Sequence, residues 1–313
     1  MHQATVLLTG GSGFIGTHLI KELLAQDFKV ISLSRKAGRV SKSPHLTWVQ
    51  SFDEMKHDRI DYVINLAGES IGQGRWTATR KQQLIESRVN TTELLYEYLH
   101  QRKIFPKCII SGSAVGYYGI DETQMWSSAC DEQSPAQAIF MSELCQRWEH
   151  VTALYPEQNT QIIRLGVVLA AGGGILPQML RPIQMNLVSK IGHGRQPLVW
   201  VHIQDAIRAI FYLMKQADLS VLQTENTVNV RQAVYNVVAP ERTTQADFSI
   251  VAARQLNKKP MFNMPSVIFK ILLGEQAQLI LNGQFVKASA LLAQGFEFKF
   301  PTLKQALQDI LGT

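Results

Sequence analysis

A chain of 313 residues, 46 % apolar and 18 % charged, has room for one large α/β domain with an annex, or for two domains. Its 31 basic and 25 acidic side chains leave a net charge of +6. That excess is spread out, without the arginine-rich arm or aromatic–basic stripe of a nucleic-acid binder.

Three cysteines, Cys108, Cys130 and Cys145, form no CxxC pair, which fits a reducing compartment. The N-terminus lacks a basic segment followed by an apolar stretch and cleavage site, and no run reaches the roughly 20 apolar residues of a membrane span. The expectation is a cytoplasmic monomer or homodimer that acts on a small molecule, with no membrane and no nucleic acid as partner.

The first element sets the rest. Residues 5–9 are mostly apolar, glycines follow at 10, 13 and 16, and an amphipathic run covers 14–25. This order reads as strand, tight turn, helix. Gly10 permits the sharp turn, a side chain at Gly13 would collide with an approaching pyrophosphate, and one at Gly16 would hold the helix off the sheet. The open amides at the helix start then face phosphate charge. Gly10, Gly11, Ser12, Gly13, Phe14, Ile15 and Gly16 are therefore candidate dinucleotide contacts.

A second strand over 28–33 ends in Ser34-Arg35-Lys36. Where NAD-type sites place an acid on the ribose 2′-hydroxyl, Ser34 stands here. Ser34 can bond a 2′-phosphate and Arg35 can pair with it, so NADP(H) is expected over NAD(H). A short strand over 46–49 precedes Asp53, a weaker candidate beside the adenine.

The strand over 60–65 runs into Asn65-Leu66-Ala67-Gly68, small enough to pass close beside a ribose, with Asn65 bonding locally to hold the loop. A glycine-rich excursion over 68–76 follows, where open α/β sheets bind ligands. The next predicted helix spans 77–101. Arg80, Lys81 and Arg88 read as surface charge on it, and Asn90 as a link to the neighbouring strand.

A strand over 107–110 leads to Ser111-Gly112-Ser113-Ala114-Val115-Gly116-Tyr117-Tyr118-Gly119. Hydroxyls just past a strand end can hold a substrate carbonyl or alcohol, and a tyrosine there can donate a proton. Ser113, Tyr117 and Tyr118 are the catalytic candidates. In the predicted helix over 137–155, apolar neighbours on both sides make Cys145 a buried residue rather than a nucleophile.

A strand over 160–169 reaches Gly172-Gly173-Gly174, a helix-like stretch covers 175–185, and Gly192-His193-Gly194-Arg195 forms a basic-tipped loop. Residues 200–205 start the next helix, with His202 structural rather than catalytic. Histidine, aspartate and cysteine show no metal-ligand spacing, so no metal is expected. The last core strand spans 232–238. Beyond it, helices over 245–256, 266–273 and 286–292 and a short strand over 296–300 form an annex that closes the cleft.

Together these elements describe an α/β, Rossmann-type doubly wound parallel sheet with a smaller, mainly helical C-terminal substrate region. Residues 1–169, with 198–240 returning, make the NAD(P)-binding core. Residues 170–197 and 241–313 make the smaller part.

Thr9-Gly-Gly-Ser-Gly-Phe-Ile-Gly16, Asn65-Leu-Ala-Gly68 and the 111–119 segment resemble the extended short-chain dehydrogenase/reductase superfamily. Gly74-Arg-Trp-Thr77, Ser87-Arg88, Cys145-Gln-Arg-Trp-Glu149, Gly192-His-Gly-Arg-Gln196 and Trp200-Val-His202 are similar to its atypical YfcH-like nucleoside-diphosphate-sugar epimerase family. Leu272-Leu-Gly-Glu275, Asn282-Gly-Gln284 and Gln294-Gly-Phe296 are similar to the domain of unknown function that ends those proteins.

The resemblance covers essentially the whole chain. It implies a core that binds NADP(H) or NAD(H), and transient oxidation of a sugar alcohol with hydride return to the opposite face. That chemistry normally uses a serine or threonine with a Tyr-x-x-x-Lys pair, in which lysine lowers the tyrosine pKa. Ser113 matches the serine, but Phe140 and Leu144 stand at the tyrosine and lysine positions. Loss of acid–base help costs roughly 10²–10⁴-fold. The resemblance thus leaves an epimerase or oxidoreductase that uses a displaced group such as Tyr117 or Tyr118, a cofactor-binding sensor or interaction module with little turnover, or a structural protein that kept the fold.

Overall fold

The computed structural model describes residues 3–36, 38–41, 43–55, 59–222 and 232–312. The first strand, β1 (Thr5–Thr9), is buried at every position. Its side chains feed two cores, because successive residues point to opposite faces. Val6 and Leu8 pack with Leu19, Ile20 and Leu23 of α1 (Phe14–Ala25). Leu7 packs on the other face with Leu95, Tyr96 and Leu99.

The chain continues through β2 (Lys29–Leu33), β3 (Leu46–Val49), β4 (Tyr62–Asn65), the long helix α2 (Ala78–Gln101), β5 (Cys108–Ala114) and α3 (Phe140–Ala153). Two later strands, Thr160–Leu165 and Gln232–Val237, complete a seven-stranded sheet. Across it the order is Gln232–Val237, Thr160–Leu165, β5, β4, β1, β2, β3, and every pairing is parallel. The strand runs are nearly continuous in apolar residues because both faces are covered by helices.

After β3 the chain returns to the other side of β1 and builds outward. The crevice at the carboxyl ends of β1 and β4 is therefore a topological switch point, the place where open α/β sheets take ligands. No helix among the described residues is long and apolar enough to cross a membrane.

Several predicted boundaries move. The strand expected over 160–169 breaks at Gly166, where an added Cβ would lie 3.0 Å from the Val199 carbonyl oxygen. Val167–Leu169 leaves the main sheet and pairs with Trp200–His202. Residues 200–202 are thus strand, and the helix starts at Ile203. Residues 296–300 are not a strand. The amides of Lys299 and Phe300 donate instead to the two carboxylate oxygens of Asp205, at 2.7 and 2.8 Å, while Phe296 and Phe300 are buried.

The helix expected over 286–292 is a two-residue strand, Phe285–Val286, followed by the short helix Ser289–Ala293. An unforeseen helix spans Gln276–Asn282. A second core joins Leu176, Leu180, Trp200, Phe248, Leu303 and Leu307, beside the sheet rather than under it.

Candidate functional site

The turn after β1 is packed closely against neighbouring backbone. Gly10 has φ +73°, and a Cβ there would overlap the Leu66 carbonyl and lie 2.9 Å from the Ala67 nitrogen. A Cβ on Gly16 would overlap the Gly10 carbonyl oxygen and come within 2.6 Å of the Gly11 Cα, so this glycine sets how closely α1 approaches the turn. Gly13 is different. Its added Cβ would meet just the Gly10 oxygen, at 3.1 Å.

Ser12 and Gly13 are exposed, Phe14 and Ile15 half-buried, and Gly11 and Gly16 buried. Gly13 caps α1 with no side-chain hydrogen bond. The free amides of the first turn therefore keep their affinity for an anion. The Phe14 ring lies under Gly173 and Gly174, where added Cβ atoms would come within 2.6 and 2.8 Å of it. That contact ties the 172–174 loop to the same turn.

The loop after β4 is held from below by a buried chain of hydrogen bonds. Thr9 Oγ1 donates to Asn65 Oδ1 at 2.6 Å, and Asn65 Nδ2 donates to Thr92 Oγ1 at 2.8 Å. Trp148 Nε1 also donates to Thr92 Oγ1, and the Ala67 amide donates to Thr9 Oγ1. Asn65 is wholly buried, so it shapes the loop and leaves Leu66, Ala67 and Gly68 to line it. The link from α2 is Thr92, not Asn90, which is exposed.

Arg88 is no surface charge. It is 8 % exposed, donates to the Glu69 and Leu84 carbonyls, and lies where a Gly68 Cβ would go. Burial pulls its guanidinium down to about 10. Arg80 and Arg35 both bind the Glu69 carboxylate and hold it below its usual range.

That pairing bears on the second strand end. Arg35 reaches Glu69 at 3.1 Å from an otherwise exposed position. Ser34 is 4 % exposed, and its hydroxyl accepts from the Lys36 amide at 3.2 Å. Asp53 lies exposed on the short turn Phe52–Glu54.

The three catalytic candidates separate. Ser113 is 3 % exposed and donates to Glu149 Oε1 at 2.5 Å. Glu149, from α3, also receives Arg164 at 2.8 and 2.7 Å, a bidentate pair with both side chains almost out of solvent. Tyr118 is buried. Its hydroxyl donates to Asn236 Oδ1 at 2.7 Å and accepts from Arg164 at 2.9 Å, and burial pushes its phenol up to about 12. Those bonds occupy Tyr118 in holding the sheet edge, which argues against it as a proton donor to a ligand.

Tyr117 is half-buried, and the Arg164 guanidinium stacks 3.3 Å from its ring centre. Tyr117 also lines a groove of about 670 Å³ with Gln146, Glu149, His150 and Gln232. Neither the ion pair nor this groove was foreseen. Glu149 and Arg164 lie on different elements, and a lone charge on a helix and another in a strand carry no local signal that they meet.

At the helix start, Phe140 packs edge-on against Trp76 at 5.2 Å, with the Lys81 ammonium 4.8 Å from its ring. Leu144 is buried with Leu84 and Met141. Cys145 is buried and pushed up to about 12 by that burial, an inert thiol. Among the described residues, no group of three or more histidine, cysteine or acidic side chains is placed to hold a metal.

The C-terminal part closes over the glycine-rich excursion. Gln276 Nε2 donates to the Ile71 and Gly74 carbonyls, Arg75 donates to the Ile271 carbonyl, and Lys81 pairs with Glu275 at 2.6 Å. Gln284 donates to the Tyr118 carbonyl at 2.9 Å.

Residues 6–230 match the NAD dependent epimerase/dehydratase family, and residues 264–310 match a domain of unknown function, DUF1731. An epimerase family protein of Staphylococcus saprophyticus is 34 % identical over 309 residues, 97 % of this chain and 98 % of its own. The crystal structure of human epimerase family protein SDR39U1 with NADPH superposes with a TM-score of 0.85 at 30 % identity, covering 99 % of each chain. MoeE5 in complex with UDP-glucose and NAD has the same fold, at a TM-score of 0.73 and 17 % identity, over 99 % of this chain and 98 % of that one.

These findings overturn the expected preference for NADP(H) over NAD(H). The matching family is NAD dependent, and NAD accompanies neighbours such as MoeE5, although NADPH accompanies the human protein. The physical reason lies in two side chains. Arg35 pairs with Glu69, and Ser34 is buried against its own turn, so a 2′-phosphate would have to compete with Glu69 for Arg35 and reach a covered hydroxyl.

Proposed function

The chain belongs to the NAD dependent epimerase/dehydratase family, and from that premise we propose that it binds NAD(H) at the first turn and acts as an oxidoreductase or epimerase on a nucleotide sugar or related small alcohol. The observation that carries this reading is the glycine cradle, open at Gly13 and backed by the uncapped amides of α1. Residues 1–169 and 198–240 form the cofactor part, and 170–197 and 241–313 the substrate side.

The bound nicotinamide would supply hydride acceptance and return. The chain's own residues do the rest. Ser12 and Gly13 would hold the pyrophosphate, and Leu66, Ala67 and Gly68 would run beside the ribose. Glu69, Arg80 and Arg88 fix the excursion that the C-terminal part covers. Phe140 and Leu144 can neither take nor give a proton. Tyr117 remains as the proton-carrying side chain of the three candidates, with Arg164 stacked on its ring.

Saturable quenching of tryptophan fluorescence by NADH is the expected result, with slow cofactor-dependent conversion on a panel of UDP-sugars. Tyr117→Phe is expected to remove that conversion and leave NADH binding intact. No saturable NADH binding at any concentration defeats the reading. A second reading has its own support: Phe140 and Leu144 fill the proton-transfer positions with packed apolar groups, as a cofactor-binding sensor would tolerate. Tight NADH binding without turnover on any substrate of the panel selects it.

A further inference from the structure

The C-terminal part carries a surface that the cofactor chemistry leaves unused. The paired strands Val188–Ile191 and Phe262–Met264 and the following helix Ser266–Leu273 form one small lobe. The Phe262 amide donates to the Leu187 carbonyl at 3.0 Å, and the Met261 amide to the Asn186 carbonyl at 3.3 Å, so residues 185–187 lie beside 261–262. On this lobe Met185, Leu187, Met261, Val267, Ile268 and Ile271 are all exposed, between 45 % and 76 %. Scattered apolar residues are ordinary on a surface, but a cluster of this kind on one lobe is not.

The charge on the same lobe has a single sign. Residues 185–195 and 257–274 contain Lys190, Arg195, Lys258, Lys259 and Lys270 and no aspartate or glutamate. Lys259, Lys270 and Arg195 are exposed. The Gly192 amide donates to the Met264 carbonyl within the lobe, and Arg75 of the excursion donates to the Ile271 carbonyl, so the backbone that carries these exposed side chains is held both internally and to the excursion.

We infer that this lobe docks the protein on an anionic lipid surface, with the aliphatic side chains in the headgroup boundary and the lysines on the lipid charge. Charge complementarity selects this occupant. A second copy of the chain would bring two basic faces together across a twofold axis. A protein partner is a poorer match, since protein interfaces favour tyrosine, tryptophan and arginine and are depleted in lysine. Exposed aliphatic residues together with lysines and no acid are the composition of interfacial anchors, which lie on a bilayer without crossing it.

Flotation of the full chain with vesicles tests this directly. The chain is expected to float with phosphatidylcholine–phosphatidylglycerol vesicles and not with phosphatidylcholine alone, and to release as salt rises. Lys258→Glu with Lys259→Glu should lower partitioning by about tenfold or more, the scale of two lysines near an anionic surface. Val267→Ser with Ile268→Ser should lower it too, with the fold checked by circular dichroism. Should the serine pair misfold, the lysine pair, which lies outside the helix, carries the test alone. Three outcomes overturn the inference: no flotation with either vesicle, equal flotation with both, or loss of the apolar cluster altering self-association alone.

Discussion

Gly10 and Gly13 sit three residues apart in one turn, yet replacing them should do different things. A Cβ at Gly10 has to overlap the Leu66 carbonyl at φ +73°, so Gly10→Ala should lower the melting temperature before any ligand is added. A side chain at Gly13 meets just the Gly10 oxygen, at 3.1 Å, and costs α1 a favourable cap, so Gly13→Val should lower melting less than Gly10→Ala and weaken NADH binding by about tenfold or more through blocked approach to the helix amides. Calorimetric titration of both variants separates the roles, and equal NADH affinity in wild type and Gly13→Val would remove the pyrophosphate from this turn.

The buried pair is a second case. Arg164→Ala leaves the Glu149 carboxylate with little solvent and one hydroxyl donor, Ser113, which should cost about 3–5 kcal/mol in urea unfolding. His202 is a third. It is 1 % exposed, and burial outweighs nearby Asp309 to hold its imidazole below the ordinary value of 6.5. The folded state thus resists the proton that the unfolded state accepts. The resulting stability is full above the unfolded value and is lost as pH falls through the depressed one. Between about pH 7.5 and pH 5.5, the range in which histidine titrates, His202→Gln should lose less of its urea midpoint than wild type. Parallel losses would assign the acid sensitivity elsewhere.

Among the elements, α3 shows how far local sequence reaches. Its apolar stripe and the burial of Cys145 were legible from helical spacing, as were α1 and its turn, because each depends on neighbours within a few residues. Asn65 does hold its loop, but through Thr9 and Thr92, 56 and 27 residues away, rather than by the expected local bond. The partners between elements were not legible. Arg88 beneath Gly68, Thr92 in place of Asn90, and Glu149 on Arg164 all depend on how two elements cross, and no periodicity encodes that.

Residues 296–300 misled by their alternating pattern, since a carboxylate from a distant helix took the amides that a strand would have paired. The same reasoning decides what grafting the missing pair would do. Phe140→Tyr adds one hydroxyl to a ring packed on Trp76, a change the contact tolerates. Leu144→Lys places an ammonium among Leu84 and Met141, where it must be desolvated or neutralised. The double variant should therefore lose several kcal/mol of stability, about what an unpaired buried charge costs, and gain no turnover. A gain in rate at unchanged stability would mean that α3 has room for the pair and that its absence is the sole obstacle to catalysis.

At the scale of the whole molecule, two cores lie in one chain. The sheet and α1 form the first, and Leu176, Trp200, Phe248 and Leu303 belong to the second. They are joined at Val167–Leu169 and Trp200–His202, and by Asp205, which takes the Lys299 and Phe300 amides from the opposite side. The C-terminal part further clamps the excursion over the crevice through Gln276 and Glu275. A ligand that binds the folded chain alone stabilises whatever unfolds together with its site, by about 2.7 kcal/mol at a hundredfold excess over Kd. If the joints are strong, NADH should raise a single calorimetric transition as a whole. If they are weak, NADH should pull the sheet's transition upward and leave a lower one, from the second core, where it was. The amides on Asp205 decide between these. Leaving a buried amide unpaired costs about 1–3 kcal/mol, and the buried Phe300 amide, with the partly buried Lys299 amide beside it, holds the tail to the helix that packs beneath the sheet. The single shifted transition is therefore the expected outcome for the wild-type chain. Asp205→Ala should split it, with the component that NADH moves belonging to the sheet. A split already present in the wild type would mean that the crevice and its cover fold as separate units, and that the clamp over the excursion forms only after both.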